Sequence, residues 1–207
     1  MTDLRRRALH LSYFTIAYNL VECVLALVAG ALAGSIALVG FGADSLVESL
    51  SGGVMVYRFA RHGTLSPAEE ARLEGRAVKL VGYSFIVLGA YVLKESVEKL
   101  IFQQAPAPSL LGIFIAVASI IVMPGLFALK YRTGKSLGSA SLMADSKQTL
   151  ACAMLSVALL IGLGINYWFG LWQADPGIGL VIAGLLVREG YRTLKRKQLC
   201  SCASCGG

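Results

Sequence analysis

The sequence predicts an all-α membrane protein built as a bundle of six transmembrane helices. Hydrophobic residues make up 56% of the 207 residues, whereas soluble domains are usually about 45–50% apolar. These residues form long runs separated by short charged stretches, and only 15% of the chain is charged. A helix needs about 20 apolar residues to cross a hydrocarbon core about 30 Å thick. Six runs reach that length: 8–33, 35–59, 77–100, 108–130, 138–165 and 170–194.

Turn-forming residues separate these runs in order along the chain. The first run follows an Arg-rich start and continues far beyond the apolar core of a signal peptide, so we expect a retained helix. Gly34 predicts a tight turn before helix two, and Pro67 opens a charged stretch that we interpret as an amphipathic entry to helix three. Pro106 precedes helix four, and Gly134 precedes helix five. An Asp-Pro turn at Asp175 precedes helix six, and this residue is expected to cap that helix.

The distribution of Lys and Arg predicts the orientation of the bundle. With the N-terminus inside the cell, 16 of the 19 basic residues fall on the cytoplasmic side; this count places Lys130 in the fourth link. Only Lys94 and Lys99 fall outside, and Lys147 lies within a helix. By the positive-inside rule both termini are cytoplasmic, and we expect a bacterial inner membrane protein. The net charge of +7 then needs no nucleic-acid partner.

These assignments divide the chain into two parts. Residues 1–195 are expected to form the six-helix transmembrane domain. Residues 196–207 are expected to form a short cytoplasmic tail with Cys200, Cys202 and Cys205. A short Cys-rich tract is typical of a soft-metal site; the alternative is a disordered tail whose cysteines are incidental or palmitoylated.

Acidic residues within the predicted helices require an explanation, since a charge at the bilayer centre costs at least about 2.5–3.5 kcal/mol. Asp44 and Glu48 are spaced i, i+4 and therefore share one face of helix two. A shared cation, or a proton on one of them, would relieve their repulsion. The alternative is a pair that faces a water-filled crevice or bonds to polar neighbours.

Helix five carries a second group of potential ligands on one face: Asp145, Gln148 and Cys152. A carboxylate, an amide oxygen and a thiolate can all bind metal, and sulfur favours zinc or cadmium over magnesium or calcium. Alternatively the cysteine packs as an inert side chain and the glutamine bonds a neighbouring helix. Glu22, with Asn19 one turn before it, could line the cavity, relay protons or pair with Lys147.

Two of these stretches resemble the cation diffusion facilitator family. Residues 34–48 resemble the family's second helix, where an Asp or His and an Asp four residues later bind the ion. Residues 141–152 resemble its fifth helix, where Ala-Asp precedes a His-x-x-x-Asp pair. The resemblance covers the six-helix domain and implies exchange of metal for protons by alternating access, usually in a homodimer.

The sequence also departs from that family pattern. Gln148 and Cys152 stand where the family has His and Asp, and Glu48 replaces the commoner Asp. About a dozen residues follow Leu194, where the family usually has a cytoplasmic metal-binding domain. The resemblance therefore supports the six-helix fold more strongly than it supports any particular metal as the substrate.

Together these observations predict a divalent metal transporter that exports zinc or a cadmium-like ion in exchange for protons. Its partners would be the ion, protons, membrane lipid and a second copy of the chain. Metal would be the substrate, with no cofactor required. The alternative is a non-transporting metal sensor or accessory subunit. An intramembrane enzyme is not expected, because the sequence has no HExxH or cofactor motif.

Overall fold

The structure is a computed structural model that describes residues 3–60 and 67–200. Within those ranges the chain is all-α, as the sequence predicts, and it forms no strand. Its six helices are α1 (Asp3–Ala33), α2 (Ile36–Ala60), α3 (Pro67–Ile101), α4 (Leu110–Leu137), α5 (Ala140–Phe169) and α6 (Ala174–Cys200).

Glycines and serines set several helix ends. Gly34 adopts a left-handed conformation with φ +64°, and this permits the tight turn predicted between α1 and α2. The turn between α4 and α5 differs from the prediction, because Gly134 lies inside α4. Gly138, with φ 62°, ends that helix, and the Ser139 side chain then accepts a hydrogen bond from Leu142 N to cap α5.

Three helices extend well beyond their predicted bounds. α3 begins at Pro67 rather than at 77, α4 continues to Leu137, and α6 continues to Cys200. The added turns contain several charged residues, which are good helix formers but are too polar to be counted in an apolar run. The extension of α4 places Lys130 inside a helix, where it is fully buried. Lys130 is therefore not one of the basic residues that can be counted on the predicted cytoplasmic side.

Three helical stretches of the described chain are both long and apolar enough to cross a membrane: Asp3–Ala33, Leu110–Leu137 and Asp145–Phe169. α2, α3 and α6 have 25, 35 and 27 residues, so each also exceeds the length required. Their composition is more polar, in part because α2 carries Asp44 and Glu48 within the span.

Helix pairing places the polar residues of α2 at the centre of the bundle. The most extensive contacts join α3 to α6, α1 to α2 and α4 to α5, and α2 also touches α3, α5 and α6. Phe41, Phe85, Met123, Leu159 and Leu186 belong to the main apolar core. The outer surface is also apolar, and side chains exposed by more than 60% include Val21, Leu32, Phe114, Ile121 and Trp168. Apolar exposure on this scale is what a lipid-facing surface requires.

Candidate cation site at the centre of the bundle

α2 brings two carboxylates into the interior. Asp44 is 4% exposed and Glu48 is 0% exposed, and their i, i+4 spacing places both on one side of the helix. Ser45, the next residue along the helix after Asp44, is also buried. The two carboxylates that share a face by spacing therefore both lie in the interior of the bundle.

A buried lysine lies against these acids. The Lys130 ammonium of α4 is 2.9 Å from Asp145 Oδ2 and 3.7 Å from Glu48 Oε1. It also donates a hydrogen bond to Thr149 Oγ1 at 2.9 Å, and Thr149 donates in turn to Glu48 Oε1 at 2.5 Å. Ser51 donates to Asp145 Oδ1 at 2.8 Å. We call Glu48, Lys130, Asp145 and Thr149 the Lys130 cluster.

Sequence reasoning missed Lys130 because the residue is the last one of the apolar run 108–130 and was counted among the basic residues of the fourth link. The signal that could have found it is Gly138. A glycine is the usual stop of a helix, and if α4 runs to that glycine, Lys130 lies two turns inside it.

Cys152 and Gln148 lie on α5 near the same acids. The Cys152 side chain is 1% exposed, and it interacts with the carboxylates of Asp44 and Glu48. Gln148 is half-buried, and its Nε2 has no hydrogen-bond partner among the described residues. The residues predicted on the two faces are therefore close neighbours.

A smaller polar group lies between α1 and α2. Ser45 donates to Glu22 Oε2 at 2.8 Å, while Glu22 Oε1 has no hydrogen-bond partner in the described part of the chain. The amide of Asn19 is fully buried, and neither its nitrogen nor its oxygen is paired there. Lys147 is exposed, so the structure does not favour pairing with Lys147 among the three roles that the sequence left open for Glu22. The lysine that lies among the acids is Lys130.

A partly open cavity of about 480 Å³ reaches Asp44. Its wall comes mainly from α4, α5 and α6. It carries polar and charged side chains as well as apolar ones, and the former are Asp44, Tyr131, Lys147, Gln148, Arg188, Glu189 and Arg192. Asp44 and Gln148 are thus the two predicted ligands that this cavity exposes.

The described residues do not form a preassembled metal cage. No group of three His, Cys, Asp or Glu side chains within residues 3–60 and 67–200 has the arrangement that holds a metal ion. Within the Lys130 cluster the ammonium is the cation that the carboxylates contact. Cys200 ends α6, and Cys202 and Cys205 lie outside the described residues, so the predicted tail site stays a prediction.

The apolar exterior and the buried charges define an integral membrane protein with ionisable side chains at the centre of its helix bundle. The Cation efflux transmembrane domain matches residues 12–197, which is most of the chain. The chain therefore belongs to the cation efflux family, and the family resemblance of the sequence is confirmed.

Three relatives show how widely this domain is shared. The chain is 22% identical over 191 residues to Transmembrane protein 163 of Xenopus laevis, covering 92% of this chain and 67% of the relative. It is 23% identical to an uncharacterised transporter of Methanocaldococcus jannaschii, covering 84% and 62%. It is 25% identical to Metal tolerance protein C1 of Arabidopsis thaliana, covering 79% of this chain but 39% of the relative.

Proposed function

We propose that this protein transports a divalent transition-metal cation through the centre of the bundle. The observation that carries the proposal is an imbalance of buried charge. Apart from Asp175, whose carboxylate accepts two hydrogen bonds at the start of α2, four buried acids, Glu22, Asp44, Glu48 and Asp145, accompany one buried base, Lys130, within the described residues. Buried charges without partners are costly, so further positive charge or protons must balance the acids. Membership of the cation efflux family supports the same conclusion.

The donor set favours zinc or a cadmium-like ion. Metal would enter through the cavity, where it first meets Asp44 and the half-buried Gln148. Cys152, which interacts with Asp44, would add a sulfur donor, and thiolates select softer ions. Glu48 and Asp145 would complete the site. These five residues are those that the sequence predicted.

Exchange for protons is the coupling that this chemistry supports best. The same carboxylates can be neutralised by metal or by protons, so binding one releases the other. Glu22 and Asn19 lie one helix away from Asp44 and would serve as a relay rather than as ligands. We further propose alternating access and a homodimer. Names such as Metal tolerance protein for a relative support metal transport but leave the ion and the coupling to experiment.

Flux measurements in liposomes test this function. Purified protein would be reconstituted, and Zn²⁺ and Cd²⁺ uptake would be followed with and without an imposed proton gradient. We expect gradient-dependent uptake by the wild type and uptake no faster than in protein-free liposomes for Asp44→Asn. Cys152→Ala should lose Cd²⁺ uptake more severely than Zn²⁺ uptake, because cadmium depends more on sulfur.

Glu98→Gln is the matched control. It also neutralises one carboxylate, but Glu98 is 44% exposed and pairs with Lys94 at the end of α3, so its flux should equal that of the wild type. If the wild type binds metal but carries none under either gradient, the transporter proposal fails. The second candidate, a metal sensor or accessory subunit, would then be favoured. The observation that favours this second candidate is the pairing of Lys130 with Glu48 and Asp145, because a lysine already occupies two of the proposed ligands.

A further inference from the structure

The Lys130 side chain joins three helices at the bundle centre. It extends from α4 into the space between Glu48 of α2 and Asp145 of α5. It is fully buried. Its nitrogen has two partners at 2.9 Å, Asp145 Oδ2 and Thr149 Oγ1.

The ammonium therefore stands where a bound metal would have to stand. A cation that bridges Glu48 and Asp145 must lie between their carboxylates, and Lys130 already supplies a positive charge there. Thr149 strengthens this arrangement, because it accepts from Lys130 and donates to Glu48. Asp44 is different. It has no ion pair with a lysine or arginine among the described residues, and it lines the cavity.

We propose that Lys130 is a tethered counter-ion that competes with the transported metal for Glu48 and Asp145. Metal would first meet Asp44 and Cys152 from the cavity, and it would gain the other two carboxylates only as the ammonium withdraws. This inference rests on the proposed transport function and deepens it. Lys130 is a positioning residue that sets how tightly the ion is held, rather than a ligand.

Tethering is consistent with the chemistry of lysine. Its ammonium is a compact charge on a flexible four-carbon stem, so it can leave the carboxylates by side-chain rotation without movement of α4. Because divalent metal and ammonium repel each other and need the same oxygens, occupancy by one excludes the other. A carrier must also release its ion. If the Lys130 ammonium returns to the carboxylates, it lowers their affinity for the metal and so favours release.

A purely structural lysine would behave differently on substitution. Lys130→Met removes the charge and keeps a similar unbranched shape. If the lysine only ties helices together, this change should lower stability and leave metal affinity unchanged or weaker. If it competes with metal, the variant should bind metal more tightly, because the unpaired carboxylates are then neutralised by the ion alone.

Co²⁺ binding to the full chain in detergent tests the inference. The visible absorption of Co²⁺ reports its ligands, and Zn²⁺ displacement gives the zinc affinity. We expect the Kd of Lys130→Met to fall at least about tenfold, since removing one partner leaves uncompensated buried charge for the metal to neutralise. Lys135→Met is the control on the same helix, because this lysine is exposed in the last turn of α4 and does not line the cavity, so it should leave the Kd unchanged.

The outcomes separate the two proposals. If the wild type neither binds Co²⁺ nor carries Zn²⁺, the proposed function fails. If the wild type binds Co²⁺ but Lys130→Met binds it equally or more weakly, only the role of Lys130 is overturned.

A second comparison covers the case in which Lys130→Met does not fold. The double variant Lys130→Met/Asp145→Asn removes one charge of each sign, so the net charge of the Lys130 cluster is kept. Relative to Asp145→Asn alone, we expect tighter Co²⁺ binding in the double variant, because no ammonium competes for Glu48. Equal or weaker binding would overturn the inference.

Discussion

Asp175 is a buried carboxylate with a structural role. It lies in the first turn of α6 and is fully buried. Its carboxylate accepts hydrogen bonds from the Ser35 hydroxyl and, at 3.0 Å, from Ile36 N. It therefore caps the start of α2 from a different helix, whereas the sequence predicted a cap on α6. One side chain thus joins the turn between α1 and α2 to α6.

Replacing Asp175 should lower stability without changing metal binding. Asp175→Ala leaves two donors at the start of α2 without their acceptor, so we expect the free energy of unfolding to fall by about 1–3 kcal/mol. Thermal unfolding in detergent measures the effect. Asp175→Asn retains one acceptor oxygen and should lose less. A Co²⁺ affinity that falls as much in Asp175→Ala as in Asp44→Asn would contradict a purely structural role.

The candidate site was predictable from the sequence only in part, and the reason lies in individual residues. Asp44 and Glu48 share a face by spacing alone, and so do Asp145 and Cys152 on α5, because helical periodicity fixes which residues point the same way. Spacing does not say which other helix meets that face. Lys130 therefore escaped prediction, and the exposed Lys147 was considered instead as a possible partner of Glu22.

At the scale of elements, the contact between α3 and α6 depends on close backbone approach. A Cβ atom on Gly190 would lie 2.8 Å from the Gly82 carbonyl oxygen and 2.9 Å from Ile86 Cγ1. The first of these atoms belongs to the backbone and cannot rotate away. The two helices can thus pack this closely only because no side chain stands at this position.

Gly190→Ala should therefore destabilise the bundle by about 1–3 kcal/mol, the usual cost of overpacking a close contact. Gly184→Ala is the matched control on the same helix, because a Cβ there meets no atom within 4 Å. Thermal unfolding of both variants in the same detergent makes the comparison. Equal melting temperatures would mean that α3 and α6 separate readily enough to admit the methyl group.

The existence of all six helices of the described residues was predictable, while their ends were not. Six apolar runs predict six helices because each is long enough to cross a bilayer. The charged first turns of α3 and last turns of α6 lie beyond those runs, and helical backbone continues there because the residues have high helix propensity. Hydrophobicity therefore locates a span, while glycines such as Gly138 locate the end of the helix.

At the scale of the whole molecule, charge distribution still predicts the orientation after the correction for Lys130. Fifteen basic residues remain in the predicted cytoplasmic segments. On the opposite side, Lys94 pairs with Glu98 at 3.2 Å, and Lys99 donates to the Gly34 carbonyl. The few basic residues on that side are therefore engaged with acceptors, and the positive-inside rule still predicts that both termini are cytoplasmic.

The orientation also determines the direction of transport. The cavity is lined by Arg188 and Arg192 of α6, which lie toward the C-terminal end of that helix, so the proposed transport function predicts that metal enters from the side that holds the C-terminus. A protease-cleavable tag inserted after Ala105 should be cut in intact spheroplasts, whereas a tag after Gly207 should be cut only once the membrane is permeabilised. That result would place the mouth of the cavity on the cytoplasmic side, from which metal would have to enter for export. The reverse pattern would place the cavity mouth outside, and the same site would then receive metal for import.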